Sequence, residues 1–505
     1  MKPKTLVPHS GSGEERLPSV RLLMGALMLV MLLSALDQTI VSTALPTIVG
    51  ELGGLDRLSW IVTAYMLAST IVVPLYGKFG DLFGRKTVLQ ISVILFLIGS
   101  ALCGLAQNME QLIFTRALQG LGGGGLMVVS MAAVADIIPP AERGKYQGLF
   151  GGVFGLATVV GPLLGGFIVQ HASWRWIFYI NLPLGLFALL IINAVFKADN
   201  KRKPHEIDYP GAVCLSLALV GITLFTSEGG TLRAWSDPQL WCILAFGLVG
   251  VIGFIYEERR AWEPIIPLGL FRNRSFSLSS LMAFIVGMSL FGSVTFLPLY
   301  LQVVKGSTPT EAGLQLLPLM GGLLVTSIIS GRIISRTGRY RLFPIGGTLL
   351  ATVGMALMTT LTLQSSLWQI YLYACVLGMG MGMVMQVLVL AVQNSVTPDR
   401  IGVATSSVTL FRSVGGSIGV ALFGAMFSHV LKSGLTELVE KGDVLPATLD
   451  PNAVHHLPYD VQQAYLQVFS TAVHAAFQMA AVVMALAFIL SLFLPESPLR
   501  SQSKQ

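Results

Sequence analysis

The chain has 505 residues, of which 53% are hydrophobic and 11% are charged. Soluble chains carry roughly 25% charged residues, and a soluble chain of this length would need them to cover the surfaces of several domains. The composition therefore excludes a soluble enzyme, a disordered protein and a nucleic-acid-binding protein. The formal net charge of +7 does not change this conclusion, because the basic residues lie in short loops and form no patch.

The hydropathy pattern predicts fourteen membrane-spanning helices. About 20 apolar residues in a helix cross a bilayer core. Runs of this kind follow one another at 20–42, 58–76, 88–106, 110–136, 146–170, 175–196, 209–228, 238–256, 276–299, 311–331, 342–363, 367–392, 401–430 and 468–493. The first run is too long for a cleavable signal peptide, and Asp37 and Gln38 interrupt it where small residues would mark a cleavage site.

An even number of spans places both termini on one side of the membrane. Most of the 32 lysines and arginines then lie on that same side, and basic loops face the cytoplasm. We therefore predict a multi-pass protein of the cytoplasmic (inner) membrane of a bacterium, with both termini in the cytoplasm. The longest outer segment, 431–467, is expected to form a hairpin or a short helix.

Two short loops show an internal repeat. The segment 77–86 follows the second span, the segment 331–340 follows the tenth, and Gly, base, Gly and Arg align between them. Parallel repeats are typical of transporters whose site lies between the two halves. We predict an all-α membrane protein with a six-helix bundle in 1–200, two inserted helices and linkers in 201–270, and a second six-helix bundle in 271–505.

Asp37 is the first of three charged side chains that lie away from the ends of the predicted spans, where charge is costly and usually functional. It lies late in the first span beside Gln38, and it can bind a proton or a cationic group. The alternative is a structural acid near the outer interface that only accepts hydrogen bonds.

Arg116 and Arg412 are the other two charges that lie away from the ends of the predicted spans. Arg116 is placed near the middle of the fourth span, with Gln119 on its helical face. An arginine does not release its proton, so its role would be to tune a nearby acid. Arg412 lies nearer the cytoplasmic end of the thirteenth span and can extend to the interface. The alternative for both residues is a role in helix packing.

A charged turn at the cytoplasmic ends of the helices forms a second group of candidate residues. Glycines permit the turn, and the charges can join neighbouring helices in a network that holds one conformation closed. The alternative is charge that only fixes the topology. The group consists of Gly77, Asp81, Gly84, Arg85, Lys86, Asp136 and Arg143.

The fifth span carries a stripe of small residues with a proline within it. Small residues let membrane helices approach closely, and a proline permits a bend in the middle of a span. A simple packing face would need the small residues but not the Gly-Pro step. The residues concerned are Gly152, Gly161, Pro162, Gly165 and Gly166.

The sequence contains no metal-ligand spacing, phosphate-binding loop or catalytic triad in a suitable context. Glu228 is expected at a solvated helix end, and His474 is expected to pack against its neighbours. We therefore expect no metal, no cofactor and no enzymatic activity. A gradient must supply the energy, and one proton moving through 100 mV releases about 2.3 kcal/mol.

These motifs resemble those of the major facilitator superfamily, in particular its branch of fourteen-helix drug:proton antiporters of the multidrug efflux type. The resemblance covers nearly the whole chain. It is carried by the signature loop at 77–86, the fourth-span residues Arg116, Gln119, Gly120 and Gly122, the glycine–proline stripe of the fifth span, and the segments Leu36–Pro46 and Trp174–Pro183.

The resemblance implies that Asp37 binds protons or cations, that Arg116 belongs to the proton relay, and that Asp81 with Arg85 forms the cytoplasmic gate. The second loop has Ser335 where the first has Asp81, so we expect a weaker latch there. Asp37 is the one clearly deep carboxylate of the sequence, which disfavours divalent substrates.

The sequence thus predicts a proton-coupled antiporter that exports drugs or toxic compounds by alternating access, as in antibiotic resistance, and we expect these compounds to be hydrophobic and cationic. Its expected partners are small amphipathic substrates, protons and membrane lipids. We expect a monomer, and an accessory envelope subunit is an open alternative. A dedicated exporter or flippase for one metabolite or lipid is the alternative function. A membrane receptor would bind ligand without pH-driven flux, and an intramembrane enzyme would need a nucleophile or metal set that the sequence lacks.

Overall fold

The computed structural model describes residues 16–53, 57–196, 208–229, 233–440 and 458–496, and these segments are almost entirely helical. The helices are α1 (Arg16–Leu52), α2 (Leu58–Phe83), α3 (Arg85–Leu105), α4 (Met109–Ile137), α5 (Pro140–His171), α6 (Trp176–Tyr179), α7 (Asn181–Val195), α8 (Tyr209–Glu228), α9 (Pro238–Glu258), α10 (Arg274–Val303), α11 (Pro309–Leu314), α12 (Leu317–Thr337), α13 (Leu342–Met358), α14 (Leu367–Ser395), α15 (Ile401–Glu440) and α16 (Tyr459–Ser491).

Thirteen helical segments in the described part of the chain are long and apolar enough to cross a membrane, with the short α6 and α7 joined as one segment. The predicted span at 342–363 corresponds to α13, an apolar helix of 17 residues. The structure therefore shows an all-helical membrane fold, and the count of fourteen spans stays a prediction.

The helices before α8 pack on one another, and so do the helices after α9. In the first group α4 packs against α2 and α3, and α1 packs against α5 and α7. In the second group α10 packs against α15, while α14 lies between α12 and α13. The pair α8 and α9 pack together, and α8 lies along the seam where α2 meets α15. Leu215 and Leu219 of α8 share an apolar cluster there with Val73 and Leu410.

The two groups contact each other through α5 with α12 and through α2 with α15. Their closest approaches lie toward the end of the helices that carries the connections at 84, 138–139 and 396–400. We call this the basic end, and it corresponds to the predicted cytoplasmic side. The opposite end is called the outer end.

Two sequence predictions differ from the structure at helix ends. The segment 431–467 begins as a continuation of α15 to Glu440 and ends within α16, and its residues 441–457 lie outside the described residues. Glu228, expected in solvent, is 8% exposed, and its Oε2 accepts a hydrogen bond of 2.6 Å from Arg233 Nε. The prediction for Glu228 considered the helix end but not the following turn that brings Arg233 back.

Candidate functional site

Asp37 of α1 and Arg116 of α4 form an ion pair that is buried inside the first group of helices. Arg116 Nη1 donates to Asp37 Oδ2 at 2.6 Å, and the two side chains are 1% or less exposed. Charge taken out of water is tolerated only when it is paired and hydrogen-bonded. The structure thus brings together two residues that the sequence marked separately as costly intramembrane charges.

Neutral side chains donate hydrogen bonds to the other carboxylate oxygen of Asp37, Oδ1. Gln119 Nε2 donates to Asp37 Oδ1 at 2.8 Å, and Asn181 Nδ2 donates to the same oxygen at 3.1 Å. Both amides also donate to the hydroxyl of Ser100, at 3.1 and 3.0 Å. All three neutral residues are at most 1% exposed. Asp37 therefore has protein donors on both oxygens.

Arg116 has partners other than Asp37. Its Nη1 donates to Gln119 Oε1 at 2.8 Å, and its Nε donates to the carbonyl oxygen of Ile61 at 3.3 Å. Its guanidinium carbon lies 4.3 Å from the centre of the Tyr65 ring, a cation–π distance. These partners hold the arginine whatever the protonation state of Asp37.

Glycines on α3 and α4 make the close packing of this cluster possible. A Cβ at Gly99 of α3 would overlap the backbone of Gln119, and one at Gly120 of α4 would overlap the backbone of Tyr65. Small residues at such crossings let membrane helices approach until their side chains meet. The glycine-rich sequence of α4 thus positions Gln119 and Arg116 against α1, α2 and α3.

Two sequence expectations about this site need correction. Arg116 is the eighth residue of α4, about 10 Å from the outer start of that helix, and not near its middle. Gln38 is exposed, while its neighbour Asp37 is fully buried, because adjacent residues point to different faces of a helix. Asn181 belongs to the segment Trp174–Pro183 that carried the family resemblance but was not singled out as a site residue, and Ser100, a neutral polar residue in an apolar span, was missed.

A second network lies at the basic end and is centred on Arg85. Its Nε donates to Asp136 Oδ2 at 2.8 Å, its Nη2 donates to Asp81 Oδ1, and its Nη1 donates to the carbonyl oxygen of Gly77 at 3.4 Å. The side chains of Asp81 and Arg85 are 5% and 6% exposed. This network joins α2, α3 and the end of α4.

Asp81 also reaches across to the second group of helices. Its Oδ1 accepts a hydrogen bond from Gly402 N at 3.0 Å, and its Oδ2 accepts one from Val403 N at 2.9 Å. These backbone N–H groups lie in the first turn of α15, which begins at Ile401. The N–H groups of a first turn have no partner within their own helix and favour a negative charge. Gly84 joins α2 to α3 at a φ of 88°, a conformation open to glycine.

The remaining members of the predicted gate have other partners. Lys86 Nζ donates to the carbonyl oxygen of Asn193 at 2.8 Å, and Arg143 Nε donates to that of Ile138 at 3.1 Å. Ser335, in the second copy of the loop, accepts a hydrogen bond of 2.9 Å from the backbone N of Lys145 in α5. The repeat therefore places Asp81 and Ser335 each against an early turn of a helix in the other group.

The glycine–proline stripe of α5 divides into two faces. Gly152 lies against Leu324 and Ile328 of α12. Gly161 and Gly165, farther toward the outer end, face Thr39 and Thr43 of α1 instead, and Gly166 has open space beside it. Pro162 lies within the helix between these glycines. The helix α5 thus passes from the second group to the first along its length.

Arg412 of α15 is 7% exposed. Its Nη2 lies 3.9 Å from the sulfur of Met127 in α4. The structure does not join it to the Asp37 cluster, because Met127 is 11 residues along α4 from Arg116, a rise of about 16 Å.

At the outer end an exposed ion pair links the end of α1 to the start of α6. Arg175 Nη1 donates to Glu51 Oε1 at 2.5 Å, and Trp174 Nε1 donates to Glu51 Oε2 at 2.7 Å. The hydrogen bonds from Arg175 and Trp174 lower the pKa of the Glu51 carboxyl below its usual value.

A helical protein that crosses a membrane many times, with two contacting helix groups and an ion pair buried within one of them, has the architecture of a membrane transporter. The profile of the Major Facilitator Superfamily matches residues 27–420. The chain is 36% identical over 512 residues to the multidrug transporter protein MdtP of Bacillus subtilis, which covers 96% of this chain and 94% of that protein. It is 33% identical over 498 residues to multidrug resistance protein 3 of the same organism, which covers 96% and 97%.

An uncharacterised MFS-type transporter of Mycobacterium tuberculosis is 41% identical over 475 residues, 94% of this chain and 69% of that protein. Among solved structures, the human organic anion transporter MFSD10 superposes with a TM-score of 0.64 at 15% identity, covering 93% of this chain and 99% of that one. The proton:xylose symporter XylE gives 0.62 at 15% identity, covering 96% and 98%. These two similarities concern the fold alone. The chain belongs to the major facilitator superfamily, and it is a transporter and not an enzyme.

Proposed function

We propose that this protein is a proton-coupled antiporter that exports hydrophobic small molecules from the bacterial cytoplasm by alternating access. The names of its relatives, multidrug transporter and multidrug resistance protein, support export. The observation that carries proton coupling is the buried Asp37–Arg116 pair. Asp37 is the one carboxylate in the described residues that is buried well inside its helix.

Proton binding would change the charge of this cluster. With Asp37 ionised, the charges of Asp37 and Arg116 cancel. A proton on Asp37 leaves a net charge of +1, and the arginine keeps the Ile61 carbonyl, the Gln119 side chain and the Tyr65 ring as partners. These contacts support the proposal, because a proton carrier requires that the arginine stay in place when its acid is neutralised.

Helix α2 is the element that links the proton site to the gate. Ile61 and Tyr65, the partners of Arg116, lie near its outer end, and Asp81 lies at its basic end. Tyr65 and Asp81 are 16 residues apart, a rise of about 24 Å. If the contacts of Arg116 with Ile61 and Tyr65 change, α2 can shift, and a shift of α2 would alter the hydrogen bonds between Asp81 and α15.

The close contacts at the basic end favour the state that is closed to the cytoplasm. Gly77 of α2 packs against Gly402 and Ser406 of α15, and Ser327 of α12 donates to the carbonyl oxygen of Gly148 in α5 at 3.2 Å. We assign this conformation to the outward-facing step, in which substrate leaves and Asp37 takes up a proton. Because Asp37 is already paired with Arg116, the proposal is not restricted to cationic substrates.

Transport in proteoliposomes tests the proposal. The proteoliposomes are given an imposed pH gradient and a panel of lipophilic dyes. The panel includes cations such as ethidium, neutral compounds and acids. A gradient equivalent to 100 mV allows about fifty-fold accumulation for one proton per substrate. We expect accumulation by the wild type and none by Asp37→Asn, which cannot ionise.

Glu110→Gln is the matched control for that experiment. It also removes a carboxylate that pairs with an arginine, Arg57, but its side chain is 78% exposed. We expect it to accumulate dye like the wild type. If Asp37→Asn accumulates as much dye as the wild type, Asp37 is not the proton carrier. Failure of the wild type to transport any dye of the panel would refute polyspecific export and leave the dedicated exporter or flippase.

A further inference from the structure

Arg412 is a buried guanidinium for which the described residues supply no acid. It is 7% exposed, and the one polar contact that its side chain makes among these residues is the 3.9 Å approach to the Met127 sulfur. A guanidinium carries five N–H donors, and a thioether is only a weak acceptor. Burying a charge without a partner is strongly unfavourable, so the position calls for an anion that the described part of the chain does not provide.

The depth of Arg412 agrees with a site between the two helix groups. It follows the start of α15 by 11 residues, about 16 Å from the basic end. Met127 precedes the end of α4 by 10 residues, about 15 Å from the same end. Both residues therefore lie near the middle of a hydrocarbon core of about 30 Å. One comes from the first group of helices and the other from the second.

Each buried carboxylate of the described residues has a partner other than Arg412, and that of Asp81 is Arg85 at the basic end. Asp37 is paired with Arg116, Glu228 is paired with Arg233, and Glu258 Oε1 accepts hydrogen bonds from the backbone N of two residues, Ile265 and Ile266. Glu228 and Glu258 also lie at the last residues of α8 and α9. Arg412 thus provides a positive charge at mid-depth that these acids do not balance.

A second group with unused hydrogen-bonding capacity lies on α4, within one helical turn of Met127. Ser130 is fully buried, and its hydroxyl has no hydrogen-bond partner among the described residues. It is three residues after Met127, so both side chains lie on the same face of α4. An anion held by Arg412 near Met127 would have this hydroxyl within one helical turn as a further donor.

We propose that Arg412 binds an acidic group of the transported molecule, and that the protein therefore exports amphipathic organic acids, carboxylates or sulfonates with an apolar body. This inference rests on the proposed function and names its substrate class. The acid compensates the charge of Arg412, and Ser130 donates to a second oxygen of the same group.

Binding to the purified full-length protein in detergent tests this assignment. Dansylglycine, a carboxylate, is titrated by fluorescence beside dansylglycinamide, its neutral match. A hydrogen bond to a charged group corresponds to a preference of about tenfold or more, so we expect the wild type to bind the acid at least that much more tightly. Arg412→Gln should bind both probes equally, while Arg412→Lys, which keeps the charge, retains a preference. Ser130→Ala should lower the affinity for the acid by about threefold and leave the affinity for the amide unchanged.

Arg336→Gln is the control, because it removes the same charge from an exposed position of α12 and should leave both affinities unaltered. A melting curve checks that Arg412→Gln is folded, and Ser130→Ala decides the question if it is not. Equal affinities of the wild type for acid and amide, or an unchanged preference in Arg412→Gln, would overturn the proposal. Dioleoylphosphatidylglycerol is also added as a competitor of bound dansylglycine. If this lipid binds as tightly as dansylglycine does, the anion at Arg412 is a lipid headgroup and the proposal is overturned.

These outcomes are independent of the proton-coupling experiment. A loss of acid preference in Arg412→Gln does not depend on a gradient, and accumulation that depends on Asp37 can occur with substrates of any charge. Failure of the acid assignment therefore leaves the antiporter proposal standing, and failure of proton coupling leaves the binding result interpretable.

Discussion

Replacing Asp81 by asparagine weakens the contact that holds the basic end closed. Asp81 accepts hydrogen bonds from the backbone N of Gly402 and Val403 at the start of α15, and it is paired with Arg85. Asparagine is nearly the same size and keeps one acceptor oxygen. Its amide nitrogen can only donate, so one of the two N–H groups of α15 loses its acceptor.

The size of the effect follows from these contacts. A hydrogen bond to a charged group contributes about 1.5–3 kcal/mol, and a negative charge at a helix N-terminus contributes about 0.3–1 kcal/mol. Arg85 keeps Asp136 at 2.8 Å, so the loss of the ion pair is only partial. We expect the closed state to lose about 2–4 kcal/mol relative to the open one, which corresponds to a shift of about thirty-fold to a thousand-fold in their ratio.

Cysteine labelling measures this shift directly. The four native cysteines are replaced by alanine, and Ser327→Cys places a single thiol at the α5–α12 contact, where the native serine is 1% exposed. A membrane-impermeant maleimide is then added to the basic side. We expect Asp81→Asn to raise the labelling rate at least tenfold.

Asp399→Asn is the matched control for Asp81. Asp399 lies two residues before α15, and its side chain is 72% exposed. Removing its charge alters the same helix end without touching the hydrogen bonds from Gly402 and Val403. The reasoning about Asp81 is refuted if Asp81→Asn is labelled at the same rate as the single-cysteine parent, or if Asp399→Asn is labelled as fast as Asp81→Asn.

Two further substitutions have defined expectations. Gly148→Ala places a methyl group against the Ser327 carbonyl, so it should raise labelling at the basic end, whereas Gly152→Ala meets Leu324 at an ordinary 3.5 Å and should not. Equal labelling of the two variants would contradict this. Glu51→Gln should destabilise the protein in thermal melts at neutral pH by no more than about 1 kcal/mol, because the ion pair is half exposed. The pKa of Glu51 is lowered in the folded state, so this stabilisation is present above the usual value of 4.5 and is lost as the pH falls through the folded pKa. A destabilisation that persists in acid would exclude the Arg175 pair as its cause.

The sequence predicted the fold well because a membrane imposes a simple rule on it. Each span must be a long apolar helix, so composition and run length were enough to place the helices. Helix ends were harder to place, because polar turns continue a helix beyond the bilayer without changing its hydropathy. The clearest example is α15, which extends to Glu440 although the predicted span ended at 430.

The sequence drew attention to the candidate site by its charges but gave none of its contacts. Asp37 and Arg116 stood out because each is costly in a membrane, yet they are 79 residues apart in the chain, and helix packing alone brings them together. Ser100 was missed, and Asn181 was not singled out as a site residue, because a neutral polar residue in an apolar span is common. The partners of Asp81 across the interface are backbone N–H groups of Gly402 and Val403, and these have no signature in a sequence.

The internal repeat explains why the two cross-group contacts at the basic end differ in strength. Gly77 and Gly331 occupy equivalent positions, and each allows a close approach, of α2 to α15 in one case and of α12 to α5 in the other. Four residues later the first copy has Asp81, a carboxylate with two N–H groups of α15, and the second has Ser335, a hydroxyl with one N–H group of α5. A neutral hydrogen bond contributes about 1 kcal/mol, and one to a charged group contributes two to three times as much. Because α2 also carries Ile61 and Tyr65, the partners of Arg116, the stronger of the two contacts belongs to the helix that touches the proposed proton site, and the weaker one joins two helices, α5 and α12, that carry none of these partners.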